Sequence, residues 1–372
     1  MSKRSFCATG RCAAPIDRIE QKFFHSGEAL ATIKGYEVHW RSRNAVWEQT
    51  MHMQLWSATL LIADVVKVFN PQSPQARAIF DLAIVAIVVM GIIFAVVVGI
   101  VAYALLRFPR WREGERDPEQ GAGNKKIEIV WTAIPLLIVT VLFVLSARTM
   151  GISDPPPPPN PDIVVTGHQW WWEARYLKSG ATVANEIHIP VGKALALRLD
   201  AADVLHEFWV PELGRKMTTV PGHPNHIWIQ ADKPGTYLGF CSEFCGTQHA
   251  WMHVLVVAEP QEEFQKWEQA QLVAAASPTG GNAQKGLALF QQMSCVNCHA
   301  IKGTSATAQV GPDLTHFASR KKIGAGIVDN TPSNLRRWLR DPQEVKVGVK
   351  MPNFKFTDEQ VSDLADYMET LK

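Results

Sequence analysis

Two long apolar runs stand out along the chain. Residues 82–106 (LAIVAIVVMGIIFAVVVGIVAYALL) and residues 129–147 (IVWTAIPLLIVTVLFVLSA) contain no charged side chain. A bilayer core is crossed by about 20 apolar helical residues. Each run therefore predicts one membrane-spanning helix, over about 82–106 and 128–147. Two buried helices of a soluble core are the alternative, but such cores seldom contain uncharged runs of this length.

The pattern changes after the second run. Five consecutive prolines, Pro155–Pro159, predict a stiff extended spacer. Short β-rich runs with Gly and Pro between them fill residues 162–258, which favours a β-sandwich or barrel. Helical patterns separated by Gly/Pro loops dominate the rest. These changes divide the chain into an N-terminal extension (1–78), a helical hairpin (79–150), a β domain (151–262), a linker (263–283) and a helical domain (284–372).

The distribution of charged residues predicts how the chain is oriented across the membrane. The segment between the apolar runs, residues 107–126, carries six Lys and Arg residues. Short basic segments of this kind stay in the cytoplasm, so residues 149–372 should lie on the opposite side. Residues 149–260 have a net charge of −4 and residues 283–372 one of +3. This contrast suggests that the two modules dock on each other or on a charged partner, unless it is ordinary surface variation. No nucleic-acid partner is predicted.

The first 54 residues show no clean periodicity. Cys7 and Cys12 have no neighbours at metal-ligand spacing. An internal start at Met51 or Met53, or a cleaved extension, would account for this segment. We assign it no function.

One short segment concentrates soft metal ligands. Cys241, Cys245, His249 and Met252 lie within twelve residues, and His206 precedes them by 35. Thiolates and a thioether combined with imidazoles select copper. Two thiols four residues apart can bridge two metal ions, although a disulfide is the alternative in an oxidising compartment.

A second motif lies in the helical domain. Cys295-Val-Asn-Cys298-His299 is the pattern of covalent haem attachment, with the histidine as axial ligand. A zinc half-site or a thiol redox pair would share the spacing, but no second Cys-x-x-Cys follows. Met351, before Pro352, is the candidate sixth ligand, and His316 is its rival.

These residues carry a family resemblance. Residues 80–258 resemble cytochrome c oxidase subunit II, through the cysteine segment, GHQWWW at 167–172 and EIVWT at 128–132. Residues 284–372 resemble a class I cytochrome c, and the fusion resembles subunit II of caa3-type oxidases. The resemblance implies a multidomain membrane protein: a two-helix transmembrane hairpin, an all-β cupredoxin-like Greek-key barrel and an all-α class I cytochrome c domain.

The resemblance also implies roles for individual residues. A binuclear copper centre, CuA, would be bound by six groups: bridging Cys241 and Cys245, His206 with Met252, and His249 with the backbone carbonyl of Glu243. The Glu243 side chain would bind Mg at the boundary with subunit I.

Three further roles follow from the same resemblance. Trp170 occupies the position where electrons enter, and Glu128 the mouth of a proton channel. Pro312 would accept a hydrogen bond from the His299 ring.

The implied function is electron relay in a cytochrome c oxidase. Electrons would come from cytochrome c, either the fused haem c or an external carrier, and pass through CuA to subunit I, where oxygen is reduced. The spans contain no histidine, so the chain cannot hold the oxidase's other haems and needs subunit I, with subunit III as a further partner. A nitric-oxide reductase subunit and a copper-delivery protein are the alternatives. The expected location is a bacterial plasma membrane, crossed twice, with both C-terminal domains outside.

Overall fold

The computed structural model describes residues 67–108, 121, 123–155 and 159–372, and the backbone of three strands further upstream. The chain divides into two compact units, Met1–Val65 and Val66–Lys372. In the first unit an antiparallel sheet is formed by β1 (Lys22–Phe23), β2 (Glu28–Ile33) and β3 (Tyr36–Arg41). The expectations for Cys7, Cys12, a start at Met51 or Met53, most of the basic segment and the middle of the proline run fall outside the described residues.

The two apolar runs form a helical hairpin. Helix α1 spans Pro74–Arg107 and helix α2 spans Lys125–Ser153, and the two pack against each other. The most apolar stretch of each is entirely unburied, as expected for helices that face lipid. The first helix begins at Pro74, five residues before the predicted boundary at residue 79. The Ser73 side chain caps this helix by accepting a hydrogen bond from Ala76 N, a polar signal that hydropathy does not register.

Two five-stranded sheets form the β domain. In spatial order the first sheet is β10-β9-β12-β13-β7 and the second is β11-β8-β4-β5-β6. The strands are β4 (Ile163–His168), β5 (Trp171–Tyr176), β6 (Thr182–Ala184), β7 (Glu186–Pro190), β8 (Leu195–Ala201), β9 (His206–Trp209), β10 (Met217–Thr219), β11 (Asn225–Ile229), β12 (Gly235–Cys241) and β13 (His253–Glu259).

The core of this domain lies between the two sheets. Alternate residues of β8 point inward, so that Leu195, Leu197 and Leu199 are buried. Trp172 and Phe208 are fully buried beside them and meet edge to face with ring centroids 5.5 Å apart. Each fully buried apolar side chain contributes about 1.5–3 kcal/mol. This dense packing makes the domain a rigid support for the residues at its rim.

The segment predicted as a linker is partly helical. Helix α3 (Gln261–Gln271) packs Phe264 and Trp267, three residues apart, against the core of the β domain. The stretch between α3 and the next helix is therefore much shorter than the predicted 263–283. It also contacts the helical domain, because Lys302 Nζ donates to Leu272 O at 2.6 Å.

The helical domain contains α4 (Gly281–Gln292), α5 (Pro332–Arg340), α6 (Pro342–Val345) and α7 (Asp358–Met368), with a small hairpin of β14 (Lys322–Ile323) and β15 (Val328–Asp329). Helices α4 and α7 pack tightly, with the Phe290 and Tyr367 rings 5.9 Å apart. Thr357 and Gln360 form a capping box that starts α7.

The helical domain lies directly against the β domain. Lys322 N donates to Glu186 Oε1 at 2.8 Å, and Lys321 Nζ donates to Thr236 Oγ1 at 2.8 Å. Among the described residues no salt bridge joins the two domains. The docking suggested by the opposite net charges is present, but hydrogen bonds rather than ion pairs form the polar contacts.

Candidate copper and haem sites

Soft donor atoms converge at one rim of the β domain. Antiparallel pairing of β9 with β12 sets Cys241, the last residue of β12, opposite Phe208. His206, the first residue of β9, lies two residues before Phe208 and so comes close to Cys241. The chain then loops through Cys245 and a short 3-10 helix that starts at His249, and it returns at Met252 before β13. The loop brings four of these five residues together locally, whereas His206 arrives only through strand pairing.

The distances within this cluster are short. The two sulfurs of Cys241 and Cys245 lie 3.7 Å apart, well beyond the length of a disulfide. His206 Nδ1 is 3.9 Å from Cys241 Sγ, and His249 Nδ1 is 3.8 Å from Cys245 Sγ. Met252 Sδ is 3.9 Å from Cys245 Sγ. Each of the five predicted side-chain ligands therefore lies within 4 Å of another donor, and the ligand atoms of His206, Cys241 and Cys245 all lie within 4.8 Å of one another.

The remaining predicted ligand is a backbone group. The carbonyl oxygen of Glu243 lies 3.2 Å from Cys241 Sγ, inside the cluster. The Glu243 side chain is exposed at the surface of the domain. The two parts of this residue thus point to different surroundings.

Hydrogen bonding favours the thiolate form at Cys241, although burial acts in the opposite direction. Cys241, Cys245, His206 and Met252 are all buried. The hydrogen bond between the two thiols lowers the pKa of Cys241 to about 4 and raises the pKa of Cys245. Since thiolate is the metal-binding form, Cys241 is the thiol that is prepared to bind a soft metal ion.

Asp203 is a residue that the sequence analysis missed. Its Oδ1 lies 2.8 Å from His206 Nε2, so Nε2–H donates to the carboxylate and Nδ1 is left free toward the sulfurs. A carboxylate of this kind orients a ligand histidine and raises its basicity. The only signal in the sequence is an acidic residue three positions before the histidine.

Gly167 allows this histidine to approach. A Cβ atom added at Gly167 would lie 2.8 Å from His206 Cδ2, closer than real contacts allow. The glycine of the GHQWWW motif is thus required by the neighbouring imidazole rather than by a turn.

The three tryptophans of the motif have different surroundings. Trp170 Nε1 donates to the backbone oxygen of Cys245 at 3.0 Å. Trp171 stacks on His168 with ring centroids 4.2 Å apart. Trp172 is fully buried and contacts the His206 ring edge to face at 5.9 Å. Trp170 is therefore hydrogen-bonded to the loop that carries the cysteines, and Trp172 packs against the His206 ring.

An apolar cavity of about 320 Å³ lies between the helical domain and the β domain. Cys295, Cys298, His299 and Met351 all line it. His299 Nδ1 donates to Pro312 O at 2.7 Å, which turns the other ring nitrogen away from that carbonyl. Burial lowers the pKa of His299, so its imidazole is neutral and able to bind a metal.

The rival sixth ligand is directed elsewhere. His316 Nδ1 lies 2.8 Å from the backbone oxygen of Lys372, and His316 does not line the cavity. The residues that do line it fit a haem chemically, with two thiols, an imidazole and a thioether in an apolar enclosure.

Glu128 lies in the first turn of α2 and is exposed. Asn124, rather than Glu128, caps this helix, accepting from Lys126 N at 3.0 Å. The structure therefore gives Glu128 no capping role.

Comparison with known proteins decides the family. The family model described as the transmembrane domain of cytochrome c oxidase subunit II matches residues 66–148, and the one for its periplasmic domain matches residues 177–259. The cytochrome c model matches residues 283–372. The cytochrome c oxidase subunit 2 of Alkalihalophilus pseudofirmus is 38% identical over 310 residues, which cover 82% of this chain and 90% of that protein. The chain belongs to the cytochrome c oxidase subunit II family.

Two further relatives and one solved structure have lower sequence identity to this chain. The Bacillus subtilis cytochrome c oxidase subunit 2 is 29% identical and covers 82% of this chain and 91% of its own length. A quinol oxidase subunit 2 of Bacillus cereus is 32% identical over 54% of this chain and 71% of its own. The crystal structure of the periplasmic domain of subunit II of Bradyrhizobium japonicum cytochrome oxidase is 31% identical, covering 30% of this chain and 95% of that one, with a TM-score of 0.29.

Family membership also fixes the placement of the chain. It is a subunit of a haem–copper oxidase and a two-pass membrane protein whose β and helical domains lie outside the cytoplasm. The expected family, fold class and membrane location are thereby confirmed, and a nitric-oxide reductase subunit is not favoured.

Proposed function

We propose that this chain accepts electrons from a cytochrome c at a CuA centre and passes them to subunit I of the oxidase. The observation that carries this proposal is the convergence of two thiols, two imidazoles and a thioether in one cluster of a domain outside the membrane. Four of these five side chains are buried, and His249 is half-buried. A donor set this rich in sulfur and nitrogen suits copper.

The proposed ligands are those that the family resemblance implied. Cys241 and Cys245 would bridge two coppers, His206 and Met252 would complete one of them, and His249 with the Glu243 carbonyl would complete the other. When bound, the copper pair accepts and releases one electron at a time. The surrounding residues hold the donors and exclude water, since Met252 and His206 are fully buried. A closed donor set leaves no position for a substrate, which favours relay over catalysis at this site.

The cavity of the helical domain would hold a covalently attached haem c. Cys295 and Cys298 would form the thioether bonds, and His299 and Met351 would be the axial ligands. The Pro312 carbonyl orients the His299 ring for this role. Histidine and methionine ligation gives the haem a raised potential and closes it to external ligands, which suits an electron carrier.

Trp170 would provide the route between these two sites. Its indole lines the haem cavity and donates to the backbone oxygen of Cys245. One side chain therefore touches both the cavity and the segment that holds the copper ligands.

The remaining roles concern partner subunits. The exposed Glu243 carboxylate is proposed to bind Mg at the boundary with subunit I, and the exposed Glu128 to lie at the mouth of a proton channel there. Subunit III is a further proposed partner. The proposed domains are an N-terminal extension, a membrane hairpin, a CuA domain and a cytochrome c domain, with bounds adjusted to the helices described above.

A copper-delivery role is the second candidate. Such proteins need two thiols and one histidine, but not a second histidine, a thioether and a haem cavity at the same rim. The additional donors His249 and Met252 favour relay.

Two measurements on the purified full chain test the proposal. We expect two coppers and one covalent haem per chain, and a seven-line copper hyperfine pattern in electron paramagnetic resonance, which arises when one electron is shared by two copper nuclei. C245S should abolish this pattern and keep the haem, whereas C298S should impair haem attachment and keep the pattern. One copper per chain would support delivery, and a Cys241–Cys245 disulfide in the mature protein would contradict both roles.

A further inference from the structure

The haem-type cavity is not closed by the helical domain alone. Its walls include Gln169, Trp170, Trp171, Asn185 and Gln248, all from the β domain. The cavity therefore lies at the interface, and the position of one domain on the other decides what the cavity faces. Any residue that fixes this position also fixes the separation of the two proposed redox sites.

Gln248 makes the most buried polar contact across this interface. The residue is 1% exposed, and its Nε2 donates to Lys346 O at 3.0 Å and to Val347 O at 2.7 Å. One amide group thus satisfies two carbonyls of the opposite domain. Gln248 also directly precedes the proposed copper ligand His249.

Lys346 reaches in the opposite direction. Its Nζ donates to the backbone oxygen of Trp170 at 3.2 Å, although the residue is only 2% exposed. Lysine is almost never this buried without a carboxylate partner, and the described residues provide none within salt-bridge distance. Burial lowers the pKa of Lys346 to about 7, which reflects the cost of placing the side chain there.

Lys350 adds a contact at the edge of the same surface. Its Nζ donates to Gln169 Oε1 at 3.2 Å and lies 5.5 Å above the Trp170 ring. Lys346 and Lys350 both belong to the segment that leads directly into Met351. The residues that cross the interface are therefore continuous with a proposed ligand on each side.

We propose that Gln248 and Lys346 form an interdomain latch that positions the haem-binding cavity against Trp170 and Trp171. The two are positioning residues, and this inference rests on the proposed function of the two sites. The step they serve moves one electron from the reduced haem, which is oxidised, to the copper pair, which is reduced, with no bond made and no proton transferred.

The chemistry of the latch favours positioning over adhesion. Well-packed apolar side chains would hold two domains together at least as strongly as a buried lysine. A buried amide and a buried amine have strict geometric requirements, because a displaced partner is left without a hydrogen bond. They therefore select one docked arrangement among many.

The test uses the assembled oxidase with variants on both sides of the interface. Q248M and K346M each remove a donor and keep the length of the side chain. K321M is the matched control, because it removes another interdomain lysine hydrogen bond, to Thr236, whose two residues lie outside residues 241–252 and 341–351. Transfer from photoreduced haem to copper gives the rate, and hydrogen exchange followed by mass spectrometry reports amide protection in residues 341–351.

We expect Q248M and K346M to slow the electron transfer by about tenfold. A buried carbonyl that loses its donor makes the docked arrangement less stable, so that fewer molecules hold the two sites at the transfer distance. Q248M should also reduce amide protection, with haem and copper spectra unchanged. K321M should change neither quantity, and the double variant should be less affected than the sum of the single changes. The proposal is overturned if both variants transfer electrons within twofold of K321M. Absence of the copper or haem spectrum in the unaltered chain would instead reject the proposed function.

Discussion

The contact between Asp203 and His206 leads to a sharp prediction about copper affinity. Asp203 Oδ1 lies 2.8 Å from His206 Nε2 and holds the ring so that Nδ1 faces Cys241. Asp203 Oδ2 also accepts from Gln169 N at 2.7 Å, which fixes the carboxylate in place. Substitution D203A removes the group that selects the tautomer and leaves the His206 ring free to rotate.

Loss of such a supporting carboxylate costs about 10- to 100-fold in metal affinity. That range corresponds to about 1.4–2.7 kcal/mol of binding free energy. D203N should lie between D203A and the unaltered chain, because its amide oxygen can still accept from the imidazole but carries no charge. D200N is the control, since Asp200 pairs with Arg198 and makes no contact with the cluster.

The assay is a copper titration of the reduced, metal-free full chain against a competing chelator at pH 7.5. Thiolate-to-copper absorption gives the bound fraction. The affinity should decrease in the order D200N, D203N, D203A. If D203A bound copper within twofold of D200N, the assignment of Asp203 as the orienting group would be refuted.

Three further predictions concern stability and haem attachment. Burial lowers the pKa of His168 to about 4, below the 6.5 of a histidine in the unfolded chain. Between pH 6.5 and pH 4 the unfolded chain therefore binds more protons than the folded chain, and the free energy of unfolding should decrease as the pH falls through this range. The melting temperature of H168N should show a weaker pH dependence, and an unchanged slope would contradict this. G311A would place a Cβ atom 2.8 Å from His299 Cε1, which should destabilise the folded protein by about 1–3 kcal/mol. The covalent haem content, measured by a peroxidase stain, should therefore decrease. A normal haem content would count against the position of the His299 ring. W172A should lower the free energy of unfolding by about 3–5 kcal/mol in denaturant titrations, and a loss below about 1 kcal/mol would show that the site collapses around the cavity.

Several features were predictable because they are local in the chain. A run such as residues 82–106 predicts a membrane helix by itself, since the bilayer selects for apolar length. The spacing from Cys241 to Met252 gathers four donors in one loop, and Cys295 to His299 defines a haem motif, without any knowledge of the fold.

Local sequence patterns predicted the bounds of a helix less well where a polar cap or tertiary packing determines them. The start of α1 at Pro74 depends on the Ser73 cap, and the helical part of the predicted linker depends on Phe264 and Trp267 finding the β-domain core. Neither contact is visible to a measure of average hydropathy.

The sequence by itself therefore determined the kinds of chemistry present: a membrane hairpin, a soft-metal loop and a haem attachment site. Only the tertiary structure decided how these are joined. The pairing of β9 with β12 brings His206 to the cysteines, and Asp203 then hydrogen-bonds to the His206 ring. Gln248 donates to the backbone of Lys346 across a domain interface. These contacts join residues up to 98 positions apart. Their geometry arises from the packing of sheets and domains, which no short window of sequence contains.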